Sequence, residues 1–297
     1  MMDSMKEKQR VLILGATGML GHSLLYDFSR RENLSVHATS RSREGLSRWF
    51  SPEIRERIHA PVDAADFDSV VRVLAEVRPD VVINCIGVIK QLAAAQDPIA
   101  CIAINALFPH RLAKECERIG ARLIHISSDC VFSGHKGGYV EGDFADGDDL
   151  YGRTKLLGEV DYPLAVTLRT SIIGHELNTS VSLIDWFLAQ EGRVKGFTRA
   201  IYSGFPTVEM ARIIASVVIP RPELRGLYHV SSAPISKYEL LCLVRDRYAK
   251  AIEIEPYDDF VCDRSLDSSR FRAATGYVPP TWAEMVERMY VERQLNC

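Results

Sequence analysis

Val11-Leu-Ile-Leu14 runs straight into Gly15-Ala-Thr-Gly18-Met-Leu-Gly21 and then into an apolar stretch from Ser23 to Phe28, an order that few folds accommodate. Consecutive apolar residues suit a strand buried on both faces, as in a parallel sheet covered by helices. Glycines permit a tight turn and a close approach of backbone to a ligand. The helix that follows offers free amides and the positive end of its dipole to an anion. The turn over Gly15, Thr17, Gly18, Met19 and Leu20 is therefore expected to hold the diphosphate of a dinucleotide, although its GxxGxxG spacing differs from the common GxGxxG.

The rest of the first half alternates strands with helices, as a doubly wound α/β parallel sheet (the Rossmann fold) requires. Strands are expected at 11–14, 34–40, 59–62, 81–86, 122–127 and 164–171. The clearest helix runs from Asp97-Pro98 to Gly120, with Asp97 as its cap, Pro98 at the first helical position and Gly120 at its end. Beyond about 175 the pattern loosens, with helices expected at 180–190, 207–219, 236–249 and 281–293. This divides the chain into a disordered polar tail (1–10), a dinucleotide-binding domain (11–174, with some later segments returning to it) and a mainly substrate-binding, smaller mixed α/β part (175–297).

Composition narrows the class. A chain of 297 residues that is 47% hydrophobic and 25% charged can bury a large core. A net charge of −3 gives no electrostatic case for nucleic acid or an anionic membrane as the main partner. The seven cysteines form no CxxC pair, so neither a disulfide framework nor a metal site is expected, and a reducing cytoplasm is the expected home. Residues 1–10 lack the apolar core of an export signal, and no later run approaches the ~18 residues of a membrane span. A homodimer is compatible with such a chain, but no isolated apolar stripe marks its surface.

The end of the second strand bears on the cofactor. An acidic residue there would bind the adenosine ribose and repel a 2′-phosphate. This chain instead reads Ser40-Arg41-Ser42-Arg43. Hydroxyls and guanidiniums at Ser40, Arg41 and Arg43 suit a phosphate dianion, so NADP is expected over NAD, with Glu44 as a countervailing charge. A solvated basic loop is the alternative. Asn105, in the long helix, is expected either to brace nearby backbone or a water, or to make a purely structural bond.

Tyr151-Gly-Arg-Thr-Lys155 follows a strand that ends in Ser127-Ser128. Positions four apart share a helix face, so the Tyr151 hydroxyl and the Lys155 ammonium converge. A tyrosine titrates near ~10, and a neighbouring cation favours its phenolate, which equips it to exchange a proton with a carbonyl oxygen. Ser127 and Ser128 are neighbours in a strand and point to opposite faces. The Tyr-x-x-x-Lys spacing is weak on its own and gains weight from the glycine turn before it.

Taken together, the glycine turn, Ile126-Ser-Ser-Asp-Cys-Val-Phe-Ser-Gly134, Tyr151-Gly-Arg-Thr-Lys-Leu-Leu-Gly-Glu159, Leu168-Arg-Thr170 and Gly204-Phe-Pro-Thr207 resemble the extended short-chain dehydrogenase/reductases. Within them they resemble the dTDP-4-dehydrorhamnose reductase family of sugar-nucleotide reductases. The resemblance implies an NADPH-dependent reductase of a nucleotide-activated 4-keto-6-deoxyhexose, serving deoxysugar or polysaccharide biosynthesis. Matching Ser-Asp-Cys to the family's Thr-Asp-Tyr makes Ser128, with Tyr151 and Lys155, the catalytic set. Tyr151 would give the proton, Ser128 polarise the oxygen, and Lys155 lower the Tyr pKa and hold the nicotinamide ribose. The same resemblance gives Asp63 to the adenine amino group and runs Cys85, Ile86 and Gly87 beneath the cofactor.

Cys130 departs from the family pattern. The rhamnose-forming reductases carry tyrosine there, the 4,6-dehydratases a glutamate, and GDP-fucose synthase uses a cysteine in this region with a histidine. Cys130 is thus either an acid-base residue of an epimerase or epimerase-reductase, with His175 the nearest partner by sequence, or a structural thiol. Lys90 and Gln91 are candidate sugar contacts. Trp186 and Phe187 line the nucleotide cleft or fill core. The resemblance puts Phe205 in the substrate-side turn, and Arg264 on the diphosphate or in a surface ion pair. The family also contains a regulatory subunit of methionine adenosyltransferase, so a non-catalytic NADP-binding subunit is a third reading.

Overall fold

The computed structural model describes residues 8–90 and 96–296. Gln91, and residues 1–7 of the N-terminal tail, lie outside them. The first strand, β1 (Gln9–Leu14), carries its apolar run into α1 (Met19–Ser29), and β2 (Leu34–Thr39), β3 (Ile58–His59), β4 (Val81–Asn84), β5 (Arg122–Ser128) and β6 (Ala165–Thr170) follow. A seventh strand, Gly226–His229, joins the same sheet beside β6. The spatial order from that strand is β6, β5, β4, β1, β2, β3, and every pairing is parallel. The expected doubly wound α/β sheet is thus what forms. Its order reverses between β1 and β4, and the crevice at such a reversal is where open α/β sheets bind ligands.

Alternate strand residues explain how the sheet is covered. Val11, Ile13, Val81, Ile83, Ile124 and Val166 belong to a core that also takes in Leu24 and Phe28 of α1 and Met285, Val286 and Met289 of the last helix (Trp282–Asn296). Leu12, Leu14, Val82 and Leu123 pack on the opposite face with Val70, Val73 and Leu74 of the helix Phe67–Val77 and with Leu112 and Cys116 of the helix Phe108–Ile119. Residues on both sides of 175 share the first core, which fixes the later segments against the sheet.

Most expected elements form close to their places. The long helix begins at Pro98 under an Asp97 cap and ends at Gly120 in the left-handed region, with a wider π turn at Ile102–Leu107. The later helices are Leu183–Ala189, Thr207–Ile213, Lys237–Arg247, Ser269–Thr275 and Trp282–Asn296, the fourth of them not among those expected. β1 starts at Gln9 because pairing with Leu34 and the bond from the Arg10 amide to Asp80 extend the ladder before the apolar run. Three small sheets complete the later part: Phe205–Pro206 beside Ile172–Ile173, Ala200–Tyr202 between Ile235–Ser236 and Cys262–Asp263, and Arg193–Phe197 beside Glu253–Tyr257. No helix among the described residues is long and apolar enough to cross a membrane.

Candidate active site

The glycine turn sits at the C-terminal end of β1. Gly15 has φ +92°, and Ile86 Cγ1 would lie 3.2 Å from any side chain there. A Cβ on Gly21 would stand 1.9 Å from the Gly15 carbonyl oxygen, too close for any residue but glycine. The Gly15 and Ala16 amides donate to Thr39 Oγ1 and O, at 3.2 and 2.7 Å, which ties the turn to β2. Gly18 caps α1 with no side-chain bond, and the first turn holds no acidic residue. The segment over Thr17, Gly18, Met19 and Leu20 therefore offers backbone and dipole to an anion with no competing carboxylate.

At the end of β2, Ser40 Oγ donates to the Ser42 carbonyl (2.9 Å), Ser42 Oγ accepts from the Glu44 amide (3.0 Å) and Arg43 Nε donates to the Ala60 carbonyl (3.3 Å). Arg41 and Arg43 stay exposed at the sheet's edge. Asp63 is exposed, with Oδ1 accepting from the Ala65 amide. Past β4, Asn84 Oδ1 holds the Ile86 amide at 3.1 Å. Asn105 then grips Val88 through both groups of its side-chain amide, accepting from its amide at 2.8 Å and donating to its carbonyl at 3.0 Å. The same Nδ2 reaches Thr154 Oγ1 at 3.4 Å. Asn105 so joins the Cys85–Val88 segment to the helix Leu150–Leu157, which carries Tyr151 and Lys155.

Asp149 caps that helix by accepting from the Gly152 amide at 2.7 Å, and its other oxygen pairs with Lys90. The Lys90 ammonium lies 5.7 Å from the centre of the Tyr151 ring. Ser128 acts on the Tyr151 hydroxyl in the direction that favours its phenolate. Ser128 Oγ also donates to Asp129 Oδ1 (3.2 Å) and accepts from the Cys130 amide (3.1 Å). Ser127 points the other way and donates to Glu159 at 2.7 Å. Arg264 donates to the Phe132 carbonyl (2.8 Å) and brings Nη1 to 4.0 Å from Cys130 Sγ. The buried Lys155 ammonium donates to the Ile126 carbonyl at 2.7 Å.

Burial governs the titrations here. It pushes the Tyr151 hydroxyl well above the usual tyrosine range, with Cys130 adding and Ser128 opposing. It lowers Lys155 to about 8, against the attraction of Glu159. It raises the Cys130 thiol to about 12, with Asp129 adding and Lys90 and Arg264 opposing, so the thiol is protonated at neutral pH.

Other expected residues lie elsewhere. His175 spends one ring nitrogen on Asp185 (2.6 Å) and the other on the Tyr248 hydroxyl (2.8 Å). Phe205 is fully buried core packed on Tyr277 and presents no surface to a ligand. Phe187 is core, while Trp186 is 39% exposed. Asp129 and Asp149 belong to the cluster without having been singled out in the sequence. Asp149 was legible as a cap three residues before Gly152, and Asp129 lay inside the Ser-Asp-Cys motif. Among the described residues no group of three or more His, Cys, Asp or Glu could hold a metal.

Residues 9–295 match the family described as RmlD substrate binding domain. The chain belongs to this family. It is 28% identical over 257 residues to methionine adenosyltransferase 2 subunit beta of Rattus norvegicus, covering 81% of this chain and 72% of that protein. It is 32% identical over 197 residues to dTDP-4-dehydrorhamnose reductase of Mycobacterium tuberculosis, covering 63% and 58%. In structure it is similar to the dTDP-4-dehydrorhamnose reductase of Bacillus anthracis in complex with NADP, with a TM-score of 0.78 at 23% identity over 96% of this chain and all of that one. The Bordetella bronchiseptica enzyme WbmG in complex with NAD gives 0.75 at 17% identity over 99% and 96%.

Proposed function

We propose that this chain is an NADPH-dependent reductase of a nucleotide-activated 4-keto sugar, acting in the cytoplasm in deoxysugar or polysaccharide biosynthesis. The observation that carries this reading is that Ser128, at the end of β5, acts on the Tyr151 hydroxyl, with Lys155 buried one helical turn on. Gly15 to Leu20 take the cofactor's diphosphate, Ser40, Arg41 and Arg43 its 2′-phosphate, Asp63 its adenine, and Cys85 to Gly87 its underside. The open turn, free of acidic residues, and the exposed guanidiniums fit that group, and NAD is the alternative. NADPH, when bound, supplies the hydride to the keto carbon. Tyr151 then gives its proton to the carbonyl oxygen while Ser128, turning its one hydroxyl proton away from Asp129, donates a hydrogen bond to the same oxygen. Lys155 keeps positive charge below Tyr151 as the phenolate forms. Lys90, Cys130 and Arg264 form the substrate side, and residues after about 175 complete it.

Two results test this reading. NADPH oxidation with a panel of 4-keto-6-deoxy sugar nucleotides should proceed in the wild type, and no turnover across the panel would overturn the proposal. The Lys155 ammonium is lost as pH rises through about 8, while burial keeps Tyr151 protonated. The reduction rate should therefore hold near neutrality and fall above about pH 8. A profile flat to pH ~10, the range of an unperturbed lysine, would remove Lys155 from the reaction.

The same shift has a sign for stability. Between about 8 and the ordinary lysine value the unfolded chain binds the proton that folded Lys155 has released, so this group's contribution to stability rises with pH in that window.

The similarity to methionine adenosyltransferase 2 subunit beta covers more of the chain than that to the reductase, 81% against 63%. That favours a cofactor-binding regulatory subunit as the second reading. It would be supported if NADP binds tightly while the keto-sugar panel gives no turnover. An epimerase-reductase is separated by Cys130→Ser, which should leave a simple reductase active and should stop solvent deuterium entering C3 or C5 of an epimerised sugar.

A further inference from the structure

The two cofactor phosphates of the proposed site fall on separate pieces of chain, the diphosphate on the Gly15–Gly21 turn and the 2′-phosphate on the loop after β2. On the sheet side, Thr39 already joins them through its bonds to the Gly15 and Ala16 amides. A second connection runs through α1. His22, in the first turn of that helix, points its Nδ1 back to the Gly18 carbonyl at 2.9 Å. A carbonyl only accepts, so Nδ1 carries the proton. Burial lowers the His22 pKa to about 4, which keeps the ring neutral and in that one tautomer near pH 7.

One turn further along, Tyr26 meets the His22 ring edge to face, with centroids 6.1 Å apart. Its hydroxyl donates to the carbonyl of Trp49, and its ring lies 5.5 Å from that of Phe50. Trp49 and Phe50 close a helical turn that leads directly back to the loop. The Trp49 and Phe50 amides donate to the Leu46 carbonyl at 3.2 and 2.9 Å, and the Leu46 amide donates to the Arg43 carbonyl at 3.4 Å. Leu46 and Phe50 are buried with Tyr26 in the main core. An unbroken series of contacts therefore runs from the Gly18 carbonyl through His22 and Tyr26 to the backbone of Arg43.

We infer that His22 and Tyr26 are positioning residues for the cofactor: His22 sets the diphosphate turn, and Tyr26 sets the loop whose arginines distinguish NADPH from NADH. The inference rests on the NADPH reading above and adds to it two buried residues of α1 outside the two phosphate-binding segments. Its consequence is a division of labour. Both dinucleotides carry the diphosphate and only NADPH carries the 2′-phosphate, so His22 acts on both and Tyr26 on one.

The test is isothermal titration of the full chain with NADPH and with NADH, with thermal unfolding recorded alongside. Tyr26→Phe keeps the ring on His22 and Phe50 and removes the bond to Trp49. It should weaken NADPH about fivefold, the effect of one ordinary hydrogen bond, and leave NADH unchanged, so that the preference narrows by that factor. His22→Leu should weaken both dinucleotides by a similar factor, and His22→Asn, whose side-chain N–H takes the place of Nδ1–H, should restore them. Equal loss of both dinucleotides in Tyr26→Phe, or no recovery in His22→Asn while the variant melts with the wild type, would overturn the proposal. A wild type that binds NADH as tightly as NADPH would sink the 2′-phosphate reading itself. That outcome is visible before any variant is made.

Discussion

Tyr151→Phe is expected to reduce the rate of keto-sugar reduction by about 10²–10⁴-fold, the range supplied by one positioned proton donor, while NADPH affinity stays within about twofold because the ring and its packing remain. The substitution removes one oxygen, and that oxygen is the group on which Ser128 acts. Nothing else nearby replaces it well. Cys130 is a protonated thiol beside Asp129 and Arg264, and Ser128 already donates to Asp129. The loss should therefore appear in kcat rather than in KM, read by stopped-flow NADPH oxidation with saturating substrate. A Tyr151→Phe enzyme that retained a tenth or more of the wild-type rate would move the proton donor elsewhere, with Cys130 the first residue to replace.

Arg169→Met is expected to be the most destabilising single change in the region. Arg169 and Glu159 form a two-pronged ion pair, with bonds of 2.6 and 2.7 Å, and their side chains are 4% and 11% exposed. Removing one member of such a pair strands the other charge in a low-dielectric setting, at a cost of about 3–5 kcal/mol, or a melting temperature lower by on the order of 10 °C for a chain of this size. The pair also organises its surroundings. Glu159 accepts from Ser127, and Arg169 approaches His229 Nε2 at 3.2 Å on the strand that edges the sheet. Replacing both, as Glu159→Met with Arg169→Met, should recover part of the loss, because no uncompensated charge remains. Calorimetry of the single and the double variant decides it, and a single variant that melts within a degree of the wild type would mean that water reaches the pair.

The two predictions separate what Ser127 and Ser128 do. Alternation along a strand sends neighbours to opposite faces, so the sequence alone required that one serine turn to each side. Which side holds Tyr151 depends on how the helix Leu150–Leu157 lies across the sheet, and that is decided by contacts far apart in the chain. Asn105 binds both Val88 and Thr154. A Cβ on Gly158 would come within 1.9 Å of the Asn105 carbonyl, so that close crossing needs glycine.

Local chemistry settled a large share of this protein in advance. Apolar runs of strand length, glycines where a turn meets a helix, and Asp, Pro and Gly at helix ends each act over a few residues, and their consequences could be read before any tertiary contact was known. The seventh strand, Gly226–His229, could not be read this way. Its four residues begin with glycine and follow Pro220 and Pro222, and only pairing with β6 makes them a strand. Nor could the sequence put Arg264 beside Cys130, 134 residues away, or engage both nitrogens of His175 far from that thiol. The sequence by itself determined the parallel sheet, the glycine turn and the shared face of Tyr151 and Lys155, because those depend on backbone geometry and spacing. Only the tertiary structure decided which distant cations, hydroxyls and ion pairs surround them, because loop closure and core packing over more than a hundred residues choose among many neighbours that short-range propensity leaves equivalent.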